Sequence, residues 1–222
     1  MIAHRGASAY ELENTLAAFR AANEMAADGV ELDIHVTADG VPVVHHDPDV
    51  GGVPIADVAS ARLTDHRLAN GEPIPTLAET LDVLGPGPIV FVEAKSLPAD
   101  RDAALLAVLD AGPAPARYHV HAFDHRIIRR LTAARPTLVT GVLSASYPVD
   151  PLAPVQAAGA HELWQVKDLV DGELIEGAHE AGYRVYAWTV DDPARMRELA
   201  ALGIDGVCTN RPDVARRALR AS

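Results

Sequence analysis

A single (β/α)₈ barrel over residues 1–222 is the fold class the sequence predicts, and three observations predict it. Eight short apolar or β-branched runs alternate with amphipathic segments. Several of those segments stop at a small residue or Asp followed by Gly, as at Asp28-Gly29, Ala111-Gly112, Ala158-Gly159, Ala181-Gly182 and Leu202-Gly203, and glycine accepts the left-handed conformation that ends a helix. No strand is followed by a Gly-rich dinucleotide loop, which disfavours a doubly wound open sheet. A chain of 222 residues suits eight compact βα units.

Taken in order, the strands fall at Ile2–His4, Val30–Val36, Ile89–Ala94, Tyr118–Ala122, Leu138–Val142, Glu162–Val166, Arg184–Val190 and Asp205–Thr209. The helices carry start signals. Asn14 can cap the first, Thr76 with Glu79 makes a capping box, Asp124 precedes 126–134, and Asp192 with Pro193 opens 194–202. Val41–His46 breaks the alternation. It follows Val30–Val36 too closely for a parallel crossover, so it folds back as a short β-hairpin extension after strand 2. A two-residue Asp39-Gly40 turn would pair Ala38 with Val41 and set His46 opposite Asp33, while a slip of one residue would set His45 there.

Composition narrows the function. Asp and Glu outnumber Lys and Arg by 31 to 19, a formal charge of -12, which argues against nucleic acid as a partner. No apolar run approaches the ~18 residues of a membrane span, and Met1–Gly6 has no signal-peptide character, so a cytoplasmic protein without stable membrane insertion is expected. The lone Cys208 allows no internal disulfide and reads as a buried small hydrophobe. The oligomeric state is not legible.

Polar residues inside apolar strands carry the chemistry. Glu31 and Asp33 alternate with apolar neighbours, Glu93 and Lys95 share a face of the third strand, and His4-Arg5 ends the first. In a barrel these strand ends converge on one mouth. Glu31, Asp33 and Glu93 would then need a counter-ion, and oxygen-only ligation suits Mg²⁺ or Ca²⁺. Arg5 and Lys95 remain for an anionic substrate, and His4 and His46 are two proton carriers. Trp188 can floor a substrate pocket. His45 reads as structural, and His35, on the site face, reads as a plain polar strand position over a supporting role to the site. His119, His121 and His125 follow no zinc spacing and are set aside, and Arg126, Arg129 and Arg130 read as a solvated helix face.

His4-Arg5-Gly6-Ala7, Glu13-Asn14-Thr15-Leu16-Ala17-Ala18-Phe19, Glu31-Leu32-Asp33, His46-Asp47-Pro48, Glu93-Ala94-Lys95, Ala187-Trp188-Thr189-Val190 and Gly206–Pro212 stand in this order, and together the chain resembles the glycerophosphodiester phosphodiesterases. The resemblance implies a phosphodiesterase-type barrel that hydrolyses a small-molecule glycerophosphodiester to glycerol 3-phosphate and an alcohol. It implies metal ligation by Glu31, Asp33 and Glu93, acid/base work by His4 and His46, and phosphate binding by Arg5 and Lys95. It further implies attack by the glycerol 2-hydroxyl and a cyclic phosphate that water opens, without saying which histidine is the first base. Leu12 replaces the family's usual proline before Glu13, and Asp49-Val50-Gly51-Gly52 stands where the family carries Arg-Thr-Thr. The short 47–75 segment replaces the family's insertion, so recognition of the leaving alcohol transfers least. Rival functions are a lysophospholipase D, a non-catalytic phosphate-binding barrel and a sugar-phosphate isomerase; metal dependence separates the last.

Overall fold

The computed structural model describes residues 1–63 and 65–220; Thr64 and the last two positions of the expected 1–222 span lie outside the described residues. Eight parallel strands close a barrel: β1 (Ile2–His4), β2 (Gly29–Val36), β6 (Ile89–Ala94), β7 (Tyr118–Ala122), β8 (Val139–Ser144), β9 (Glu162–Val166), β10 (Arg184–Trp188) and β11 (Gly206–Thr209). β1 pairs with both β11 and β2, which closes the ring. The helices that follow β1 and the segment after β2 are α1 (Leu16–Glu24) and α3 (Leu77–Leu84). The remaining strands are followed by α4 (Asp102–Ala111), α5 (His125–Ala134), α6 (Ala153–Ala158), α7 (Gly172–Glu180), α8 (Pro193–Ala201) and α9 (Pro212–Arg220).

Most boundary signals act as expected. Thr76 and Glu79 form the capping box of α3, Asp124 caps α5, and Asp192 caps α8 with Pro193 in its first turn. Gly159, Gly182 and Gly203 all have positive φ just past a helix. Two signals differ. Thr15, not Asn14, caps α1, because the Asn14 side chain is turned inward to Asp33. Asp28-Gly29 is no helix stop: α1 ends at Met25, and Gly29 begins β2, where an added Cβ would lie 2.8 Å from the Phe91 ring.

Strand alternation sends one side-chain set outward and the other into the lumen. The outward set, including Val30, Leu32, Val90 and Val92, packs under the helices. The lumen is filled by Ile2, Phe91, Leu143, Trp164, Tyr186 and Cys208. Trp164 stacks on Tyr186 at 4.8 Å, and Phe91 meets Trp164 edge-on at 4.9 Å. These rings plug the middle of the barrel, so polar groups above them can open only toward the C-terminal mouth.

The extra strand is β3 (Pro42–Val44), antiparallel to the outer end of β2. Its register pairs Ile34 with Val44 and His35 with Val43, one residue off the expected pairing. The turn has three residues, Ala38–Gly40, rather than two. Ala38 cannot join the ladder because its N–H donates to Val58 O (2.9 Å) and its carbonyl accepts from Arg101 Nη2 (2.9 Å). Thr37 closes the loop instead, accepting the Val41 N–H on its hydroxyl at 3.0 Å. His45, not His46, therefore stands opposite Asp33, its N–H bonded to the Asp33 carbonyl at 3.0 Å. Beyond it, β4 (Asp49–Val50), β5 (Val53–Pro54) and the one-turn α2 (Ser60–Leu63) cover a small core of Val43, Val50, Ile55, Leu63 and Ile74.

Candidate active site

The parallel registers bring the mouth together. His4 lies beside Glu31 between β1 and β2, Asp33 beside Glu93 between β2 and β6, and Glu93 beside His121 between β6 and β7. Glu31, Asp33, Glu93 and His121 are all buried. A cleft lined by His4, Glu31, Glu93, His121, Trp188 and Cys208 opens above the aromatic plug.

Asp33 is the electrostatic anchor. Its Oδ1 meets Lys95 Nζ at 2.9 Å, and its Oδ2 meets Arg5 Nε at 2.9 Å and accepts from Asn14 Nδ2 at 2.8 Å. Burial alone would raise the Asp33 carboxyl; Lys95 and Arg5 outweigh it and hold it below the usual carboxylate range. The chain geometry serves this contact, since Arg5 and Asn14 both take positive φ to aim inward. Gly6 follows at φ 83°, where an added Cβ would lie 2.7 Å from the Ala18 backbone. Arg5 also holds Glu13 at 2.8 Å, and Lys95 holds Glu93 at 2.6 Å.

Two cations do not balance three buried acids. Burial first, then the neighbouring Asp33 charge, pushes Glu31 up to about 7. Burial first, then Glu31 and Asp33, pushes Glu93 up to about 7. Glu31 Oε2 accepts the Arg5 N–H at 3.1 Å, while its Oε1 faces His121 Nε2 at 3.8 Å. One donor atom each from Glu31, Glu93 and His121 lies within 4.8 Å of the others, a grouping able to hold a metal ion. Asp33 stands next to this group with both oxygens paired to cations.

The two expected proton carriers have different partners. His4 Nδ1 meets Asn210 Oδ1 at 2.7 Å. The Asn210 amide donates to Asp191 Oδ2 at 2.7 Å, so its oxygen is the acceptor and His4 Nδ1 carries the hydrogen. That leaves the His4 Nε2 lone pair facing Glu31 at 3.9 Å. His46 is half-exposed, and its Nδ1 bonds Asp47 Oδ1 at 2.8 Å. That bond holds the Asp47 carboxyl below its usual range. His35, neutral because burial lowers it, donates from Nε2 to the His46 carbonyl at 3.0 Å. Trp188 lies on the cleft wall, anchored by Nε1 to the Trp164 carbonyl at 3.1 Å, and Phe123 packs edge-on against it at 5.4 Å.

Sequence reasoning missed three residues that meet the mouth: Asn14, Asn210 and His121. The first two show themselves only through tertiary contacts, whereas His35 lies on the site face by strand period and braces the His46 carbonyl. His121 had a usable signal. It follows His119 by two on β7, a strand next to Glu93, and that face enters the lumen. His119 and His125 are elsewhere, against Glu162 at 2.9 Å and the Leu143 carbonyl at 2.8 Å, so the three histidines form no cluster.

A closed (β/α)₈ barrel whose mouth holds acids for a cation, two fixed positive side chains and a histidine with an available lone pair defines a barrel enzyme acting on an anionic ester. Residues 4–214 match the glycerophosphoryl diester phosphodiesterase family, and the chain belongs to it. It is a phosphoric diester hydrolase. A glycerophosphodiester phosphodiesterase of Caldanaerobacter subterraneus subsp. tengcongensis is 31% identical over 96% of this chain and 94% of its own. Crystal structures of family members from Parabacteroides distasonis (26% identical, TM-score 0.90, covering 99% of this chain and 96% of that one) and Thermotoga maritima (27%, 0.83, 97% and 96%) share the fold. Among the described residues no helix is long and apolar enough to cross a membrane.

Proposed function

We propose that this one barrel domain hydrolyses glycerophosphodiesters to glycerol 3-phosphate and an alcohol, using a divalent cation and two histidines. The carrying observation is the convergence of Glu31, Asp33 and Glu93 with Arg5 and Lys95 at one mouth, beside the free Nε2 of His4. Two buried acids raised to about 7 and an imidazole without a hydrogen-bond partner form a donor set that fits a cation. Glu31, Asp33 and Glu93 would hold it, with Asp33 sharing its oxygens between the cation and its Lys95 and Arg5 partners. When bound, the cation neutralises these acids and polarises a phosphoryl oxygen.

Arg5 and Lys95, held side by side by Asp33, receive the phosphate oxygens. His4 takes the proton of the glycerol 2-hydroxyl on Nε2 as that oxygen attacks phosphorus. The phosphorus bond to the leaving alkoxide breaks, and His46 protonates the alkoxide. Asp47 at the His46 Nδ1 and Asn210 at the His4 Nδ1 leave the Nε2 atom of each ring for the transfer. Water then opens the cyclic phosphate with the roles exchanged. Trp188 and Phe123 offer an apolar wall to the glycerol backbone.

The test measures glycerol 3-phosphate released from glycerophosphocholine and glycerophosphoethanolamine with Mg²⁺, with Ca²⁺ and with EDTA. Release that disappears in EDTA and returns with metal is expected. Undiminished release in chelator overturns the metal role. Release of choline from lysophosphatidylcholine alone would move the substrate to lysophospholipids. His4→Ala and His46→Ala should each lower kcat roughly 10²–10⁴-fold.

A further inference from the structure

We infer that His121 is a nitrogen ligand of the cation and gives the site a preference for a borderline ion such as Mn²⁺ over Ca²⁺; this rests on the metal reading just given. Four observations carry it. His121 is 2% exposed. Neither of its ring nitrogens has a hydrogen-bond partner, an expensive condition for a buried imidazole. Its Nε2 stands 3.8 Å from Glu31 Oε1, too far for a hydrogen bond. Two donors sharing one ion at ligand distances of ~2.1 Å stand about 3–4 Å apart, so the separation suits a shared ion. Its ring is fixed edge-on against Trp164 at 4.3 Å, so the nitrogen is aimed by packing before any ion arrives.

Burial keeps the ring neutral, lowering it to about 4, and the neutral form is the one that ligates. Its nearest acids, Glu31 and Glu93, supply donor oxygens to the same point. A purely carboxylate site favours Mg²⁺ or Ca²⁺. Replacing part of that shell with imidazole moves preference along the divalent series toward ions that bind nitrogen well.

The test loads the metal-free full chain with Mn²⁺ and reads nitrogen coupling by electron spin-echo modulation, with ¹⁵N-labelled histidine to identify the donor. Ca²⁺ and Mn²⁺ affinities are measured alongside by calorimetry. Wild type should bind one Mn²⁺ at least about tenfold more tightly than Ca²⁺ and show a histidine nitrogen. His121→Ser, or His121→Gln if the serine variant does not fold, should lose the nitrogen signal. It should also weaken Mn²⁺ roughly tenfold or more while changing Ca²⁺ binding far less. His4→Ala should keep the signal. Bound Mn²⁺ with no histidine coupling, or coupling that survives in the His121 variant, overturns the inference and leaves the metal reading standing. Failure of wild type to bind either ion overturns both.

Discussion

The two ends of the barrel lumen hold similar residues in opposite states. At the N-terminal end, Glu162 starts β9 fully buried, with His119 Nδ1 at 2.9 Å and Arg184 Nη2 at 3.0 Å on the same oxygen. One acid there faces one permanent cation. At the C-terminal mouth, three acids face Arg5 and Lys95, two acids sit near pH 7, and His121 is left without a hydrogen-bond partner. The aromatic plug of Phe91, Trp164 and Tyr186 separates the two. The first cluster matches its single acid with a permanent cation, although His119 Nδ1 and Glu162 Oε1, like the His121 nitrogens, make no hydrogen bond. The second leaves three acids against two cations, the imbalance on which the proposed cation site rests.

The contrast breaks most visibly at Glu93. Glu93→Gln should cut kcat roughly 10²–10³-fold or more by weakening the cation site, while leaving the metal-free Tm unchanged or raised, because it removes one of three crowded acids. A variant that unfolds without metal loss, or that keeps full turnover, would merge the two clusters into one structural class. Glu162→Gln should do the reverse. It strips the charge partner from Arg184 and His119 and should cost about 1–3 kcal/mol of stability, tempered because Arg184 is 44% exposed. Turnover of the folded variant should stay within about twofold, as Glu162 lies below the plug. Urea unfolding and a diester assay on the same samples check both.

Asn210→Ala sharpens the comparison with a smaller effect. Asn210 passes the Asp191 charge no farther than an amide and fixes which His4 nitrogen is free. Its loss should lower kcat about 10- to 100-fold with KM little changed. The pH–rate profile should also shift, a change that a purely structural role would not produce. An unaltered profile would remove Asn210 from the site.

Most of the barrel was legible because each strand and helix declares itself over a few adjacent residues. Thr76 with Glu79 is a local device, and it caps α3 as expected. Glu31, Asp33 and Glu93 were legible because acids in strands buried on both sides need a reason. What failed was decided by distant partners. Asn14 and Thr15 are both fit to cap α1, and only the position of Asp33 sends Asn14 inward. The hairpin register turned on Val58 and Arg101, residues 58 and 101 in a chain where the turn sits at 38–40. The neighbours of His121 at the mouth, Glu31 and Glu93, are on other strands and not near it in sequence. Metal spacing rules describe loops and single helices; in a barrel the ladder register sets the spacing.

The smallest effect separates the two ends by their response to protons. Glu31 and Glu93 sit at about 7 in the metal-free fold against an ordinary 4.5, so the folded state binds more protons than the unfolded chain between those values. Stability then falls as pH rises through that window, since a raised acid contributes fully below its unfolded pKa and loses the contribution as it ionises in the fold. Buried His121, held down to about 4, works in the opposite sense over part of the same window, so the Tm of the whole protein does not by itself report the two acids. Asp33, held low by Lys95 and Arg5, works in the opposite sense and loses its contribution only as pH falls below the ordinary carboxylate range. The difference between wild type and Glu93→Gln isolates the mouth, because all other groups cancel to first order. In EDTA that difference should fall from pH 5 to 7.5, and with saturating Mn²⁺ its fall should flatten or reverse, because the ion displaces the same protons. A wild-type-minus-variant difference that stays flat across the window would mean that Glu93 is already ionised without metal. The mouth would then be as well compensated as the Glu162 cluster beneath it.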